Sequence, residues 1–271
     1  VLQNFKNQQI EIEHNVMPLI YEKIQNLPMK LDISEGDVSN FSVIYEELPK
    51  KGAISVKITF SNMNAKILGL TNVPTRENQY IQLDVDGVFM NGPFTARWDI
   101  PVSPYNDCFI LEAQLDNFDM RNLNEIFVPL AKAEVKSGQL NSFSFRTEAT
   151  SEDASASMLF LYNDLKLTVL KDAQTEEPNK FLSRLANLVI KKDNPNKNKT
   201  KPRKADYNMT RDPYHSTFNY FWQILQPGLV ESAGISQGTQ SFVKKASNFF
   251  AKIKGFFSRK RDEEEKDDKG N

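Results

Sequence analysis

Only five side chains in this 271-residue chain invite a chemical reading: His14, His215, the carboxylates Asp84 and Asp86, and the lone thiol Cys108. Asp84 and Asp86 share one strand face, the placement a divalent cation or a glycosidase acid/base pair would use. Their neighbours Leu83 and Val85 claim the other face for the core, so the two carboxylates are expected to face solvent. The two histidines lie far apart in sequence, and no nucleophile, base and orienter can be named together. The chain has no Walker loop, dinucleotide fingerprint, nucleophile elbow or zinc-binding helix. One cysteine excludes both an intramolecular disulfide and a thiolate zinc cluster. The chain is therefore read as non-catalytic, with no metal site and no cofactor.

Charged residues make up 25% of the chain, hydrophobic residues 39%, and the formal net charge is −1. This balance fits a globular protein and argues against nucleic acid as a partner. No apolar run approaches the roughly 18 residues of a membrane span. The first residue is Val, so a segment preceding it, such as a targeting sequence or membrane anchor, is expected.

The elements that would position any site read as strands. AISVKITF (residues 53–60) alternates strictly, with Ile54, Val56, Ile58 and Phe60 on one face. YIQLDVDGVF (80–89), FTARWDI (94–100) and FILEAQL (109–115) alternate in the same way. Asn91-Gly92-Pro93 and residues 104–107 supply turns between them. Short connections imply an antiparallel meander with one apolar face. Within it, ISEGDVSNFSVIYEE (33–47) returns 102 positions later as VKSGQLNSFSFRTEA (135–149), sharing Gly36/Gly138, Phe41/Phe143, Ser42/Ser144 and Glu46/Glu148. Each echo follows a short helical stretch and precedes a strand that runs through an Asn, Asn62 or Asn163. Two related units of about 100 residues are expected within 1–171, with copies near 18–70 and 122–171; generic look-alike meander strands are the alternative.

Residues 172–234 read as a linker, a covering helix over 181–190 and a closing aromatic strand. The Lys- and Asn-rich run 191–204 is expected to pack against nothing. Residues 235–258 suggest an amphipathic helix carrying Phe242, Phe249, Phe250, Ile253, Phe256 and Phe257, with Lys244, Lys245, Lys252 and Lys254 among its cations. Such a helix suits an anionic membrane surface or docking on the β core. A charged tail over 259–271 reads as disordered.

Residues 109–171 resemble the carboxy-terminal region of AsmA-like envelope proteins. The likeness rests on Asp119, Leu123 and Asn124, then Val135, Ser137, Gly138 and Leu140, then Tyr162, Asp164 and Leu165. The stretch 211–235 is similar to the closing motif of Bacteroidota-type members through Arg211, Asp212, Phe218, Asn219, Tyr220, Trp222, Gly228, Ser232 and Gly234. The resemblance implies a mainly β fold, a long curved antiparallel sheet whose concave apolar face guides phospholipid acyl chains between membranes during outer membrane biogenesis. It also implies a periplasmic location. Groove candidates are Ile54, Val56, Ile58, Phe60, Leu83, Val85, Phe94, Trp98, Leu111 and Leu115. The alternative is a β-rich scaffold for outer-membrane assembly that binds envelope protein partners and no lipid.

Overall fold

The computed structural model describes residues 2–7, 16–48, 55–73, 75, 79–102, 106–171, 177–180, 183, 186–187, 190–214 and 217–234. Expectations on Ile54, both histidines, the apolar face of the 181–190 helix, the amphipathic segment 235–258 with its Phe and Lys residues, and the tail 259–271 lie outside the described residues.

The chain is mainly β; its described residues form one open sheet of nine strands whose spatial order is its sequence order. The strands are β1 (Leu2–Asn7), β2 (Asp32–Leu48), β3 (Val56–Thr71), β4 (Tyr80–Phe89), β5 (Gly92–Pro101), β6 (Phe109–Asp119), β7 (Ala133–Ala149), β8 (Asp153–Val169) and β9 (Lys204–Thr210). All neighbours from β2 to β9 pair antiparallel, including β8 and β9, which a long segment joins. β1 departs from the meander and pairs parallel with β2, with residues 8–31 supplying the long connection that parallel pairing needs. The β4–β5 turn sits one residue earlier than the sequence suggests. Met90 and Asn91 both take positive φ (46° and 73°), and Gly92 already pairs with Phe89. Two left-handed residues are what a two-residue hairpin demands, because their twist matches that of the flanking strands.

The alternation of side chains gives the sheet one apolar and one charged face. On the charged face, Asp37, Lys66, Asp84, Arg97, Glu112 and Arg146 are successive cross-strand partners of alternating sign. Arg146 bonds Glu112 and, at 2.8 Å, Glu148; Lys66 bonds Glu35 at 2.6 Å. Exposed pairs of this kind each contribute only about 0.2–1 kcal/mol. Their greater effect is on register, since a one-residue slip would separate these partners and turn the apolar set to water. Asp84 and Asp86 both stand on this face, exposed.

Two long hairpins, β2–β3 and β7–β8, flank the shorter β4, β5 and β6, and each follows a helix. Helix α1 (Ile20–Gln25) precedes β2, and α2 (Asn124–Ala131) precedes β7 after a 3-10 turn, Met120–Leu123. Helix α2 fills the space beyond the ends of the short strands. There Ile126 joins Tyr45, Val56 and Ile58 from one hairpin and Ala133, Val135 and Leu167 from the other in a single cluster. Each fully buried aliphatic side chain in it is worth about 1.5–3 kcal/mol. At the opposite end of the sheet, α1 and α3 (Thr217–Ser232) cover a second cluster, with Leu19, Phe109, Tyr220 and Ile224 almost wholly buried.

Two segments differ from the sequence reading. The aromatic stretch after β9 is helix, not strand: Tyr220 with Ile224 and Phe221 with Leu225 stack at i, i+4 against the sheet, and this spacing overrides the strand preference of aromatic residues. The run 191–204 is not a detached loop. Asp193 and Asn194 are buried (9% and 0% exposed), because Asn194 lies along the edge of β8 and satisfies its backbone. Its Nδ2 donates to Phe160 O (2.6 Å) and Arg203 O (3.0 Å), and its Oδ1 accepts from Arg203 N (2.7 Å). Farther along the same edge, Asn187 bonds the backbone of Leu167 and Ser183 that of Val169, so side chains seal what would be an open strand edge.

The segment before α1 is tied to the end of β9. Arg211, 6% exposed, donates to Met17 O (2.5 Å) and Ser151 O (3.2 Å) and lies 5.3 Å from the Tyr220 ring centroid. Burial pushes the Tyr21 phenol up to about 12 and the phenols of Tyr207, Tyr220 and Tyr162 upward as well. Below pH 10 these phenols are protonated whether the chain is folded or not, and their environment adds no pH dependence. Above it only the unfolded chain readily loses the proton, so stability falls as pH rises toward the folded values. Absorbance titration at 295 nm should show these four of the eight tyrosines ionising only together with loss of near-UV circular dichroism. Ionisation of all eight near pH 10 with the fold intact would contradict the burial.

Candidate functional site

The apolar face is continuous from β2 to β9, but its side chains are not uniform. One cross-strand row consists of Val38, Ala65, Val85, Ala96, Ala113 and Phe145, each the register partner of the next. Three of these six are alanines. On one side of this row stand Phe94, Leu115 and Phe143, again successive partners. On the other stand Leu83, Trp98 and Leu111. Small side chains between two banks of large ones make a trough that crosses the strands. From Ala65 in β3 to Ala113 in β6 it spans three strand spacings, about 14 Å, and the buried Phe145 of β7 closes it.

The trough lies between the two helical covers. Helix α2 lies against β3 and β7, and α3 lies against β8 and β9. Leu83, Val85, Ala96 and Ala113 are half-buried and belong to neither buried cluster. The banks, in contrast, are anchored. Phe60 packs edge-on against Phe94 with centroids 5.3 Å apart, and Phe143 against Phe160 at 6.0 Å. Trp98 packs against Phe221 of α3 at 5.1 Å and Phe109 at 6.0 Å. Its indole N–H is buried and meets no acceptor among the described residues. An unmet buried donor of this kind costs about 1–3 kcal/mol.

The groove candidates thus divide. Val85 is on the trough floor; Leu83, Trp98 and Leu111 form one bank, and Phe94 and Leu115 the other, with Phe60 behind it. Val56 and Ile58 are 0% and 8% exposed under α2, away from the trough. Ala65, Ala96, Ala113, Phe143 and Phe145 were absent from that set although they complete the floor, its closed end and a bank. The signal for them is register, which strand periodicity alone does not carry.

A shallow hollow of about 500 Å³ opens on the charged face, over the row from Asp37 to Glu112. Among its side chains Asn64 donates to Asp86 (3.0 Å), Lys66 pairs with Glu35 and Glu112 with Arg146, and among the described residues no cluster of His, Cys, Asp and Glu could hold a metal. Burial and neighbouring carboxylates push the Cys108 thiol up, away from the thiolate a nucleophile requires. Among the described residues, no helix is long and apolar enough to cross a membrane.

The residues that carry the AsmA-like resemblance hold the fold together. Asp119 accepts the Arg121 backbone N–H (2.9 Å) at the start of the 3-10 turn, and the Arg121 guanidinium holds its carboxyl below the usual range. The Asn124 side chain pairs with both backbone groups of Val135, clamping α2 to β7 (2.7 and 3.1 Å). Ser137 donates to Asp164 O (2.7 Å), and Tyr162 to Lys191 O (2.8 Å). Gly228 lies so close to Met158 and Tyr207 that a Cβ would meet them at 2.8 Å. Compared with known proteins, the chain matches no family model, no curated protein and no solved structure.

Proposed function

We propose that this chain belongs to an AsmA-like, non-catalytic protein of envelope biogenesis in the periplasm, and that its trough binds and guides lipid acyl chains. The observation that carries this reading is the half-buried alanine-floored strip, lined by hydrocarbon and left between the two helical covers. An acyl chain laid across the strands would bury apolar surface on both sides at about 25 cal/mol per Å². A trough of about 14 Å is about half the roughly 30 Å hydrocarbon core of a bilayer, the reach of one leaflet's chains.

Native mass spectrometry with lipid extraction tests the reading. Ala96→Leu with Ala113→Phe fills the floor with apolar volume while keeping the face hydrophobic. Wild-type protein should retain phospholipid, and the filled variant, folded by circular dichroism, should lose at least nine-tenths of it. Lipid-free wild-type protein, unchanged after incubation with liposomes, would instead favour the scaffold that binds protein partners. The closed packing of Val56 and Ile58 under α2 is the observation that favours that second reading.

A further inference from the structure

A second hollow, of about 630 Å³, lies between the distal part of β8 and the helical residues Lys180, Ser183 and Asn187. Four of its lining side chains are Lys136, Lys166, Lys180 and Lys192, and among the described residues no carboxylate lines it. It opens on the face of β8 opposite the apolar one, because Leu167, between Lys166 and Thr168, is buried in the α2 cluster. Two of the cations are partly neutralised from outside the hollow: Lys136 by Glu134 at 2.6 Å and Lys192 by Asp164 at 2.7 Å. Lys166 and Lys180 have no carboxylate partner among the described residues.

We propose that this hollow is a binding site for a phosphate-class anion. The charge count favours phosphate over a carboxylate. Two ammonium groups remain uncompensated, and a phosphate monoester brings about −1.5 to −2 charges where a carboxylate brings one. The hydroxyl of Ser183 and the amide of Asn187 are committed to the β8 backbone (2.8 and 2.9 Å), so recognition falls to the ammonium groups, which bind phosphate as point charges. The hollow falls within the range of ordinary ligand pockets, about 300–1,000 Å³, and admits more than a bare phosphate. The site is on the other face of the sheet from the trough, and it does not depend on acyl-chain binding there.

The test is calorimetric titration of the full chain with inorganic phosphate, alongside flotation with phosphatidylcholine vesicles with and without phosphatidic acid. The double variant Lys166→Glu/Lys180→Glu, at two exposed positions, should weaken phosphate binding at least tenfold with an unchanged thermal melt, and Lys166→Arg/Lys180→Arg should retain it. If the phosphate belongs to a lipid headgroup, flotation with phosphatidic acid vesicles falls in the Glu variant. If it is a free phosphate compound, only the titration changes. Absence of saturable phosphate binding together with variant-insensitive flotation overturns the site, as does phosphate binding that the Glu variant leaves intact.

Discussion

Ile58→Asp should abolish cooperative folding, with a loss of more than about 4 kcal/mol, whereas Val85→Asp should leave a folded protein destabilised by about 1–2 kcal/mol. The two residues were equivalent as alternating strand positions, and the structure separates them. Ile58 is 8% exposed and shares its cluster with Tyr45, Val56 and Ile126, so an Asp there would be an unpaired charge beneath α2. Val85 stands half-buried on the trough floor between Ala65 and Ala96, where a carboxylate can reach water. Urea unfolding of both variants measures the difference. Equal losses would mean the trough is as closed as the core, and the acyl-chain reading would lose its structural basis.

Asn194→Ala should cost about 3–5 kcal/mol, more than truncation of most surface polar residues, because one fully buried amide satisfies three backbone groups. The loss would fall on the sealed edge of β8. Hydrogen exchange should show faster exchange at Arg203, whose N–H loses its acceptor, and at Tyr162, whose N–H donates to Asn194 O at 3.1 Å. A midpoint shift corresponding to under about 1 kcal/mol would show that water replaces the amide without penalty.

The strands were legible where a single alternating run lay between turn residues, and the bounds of β4 and β6 contain the runs read from sequence. What failed had specific causes. Phe221 and Trp222 favour strands locally, and only the i, i+4 contacts of Tyr220 and Phe221 with the sheet make that stretch helical. Asn194 sits in a run of Lys, Asn and Pro whose composition reads as solvated; one amide in an edge position reverses that, and composition does not encode position. The trough was invisible for a related reason. Ala65, Ala96 and Ala113 come from three different strands, and whether they line up depends on a two-residue turn at Met90–Asn91 and on bulges that sequence does not count.

Those bulges have a consequence for how the chain can change. Asn40 in β2 and Asn62 in β3 both adopt left-handed backbone (φ 51° and 50°), and the register slips and recovers around them, between Val38/Ala65 and Val43/Phe60. Each inserts one residue, so the two act like a pair of compensating frameshifts. Deleting either alone throws the rest of the hairpin one step out of phase, turning half of one strand inside out relative to its partner. Deleting both restores the phase and straightens the strands. Length variation at this point of the sheet is therefore permitted only in matched pairs, one residue on each strand, and a lineage that loses one of these asparagines is under pressure to lose the other.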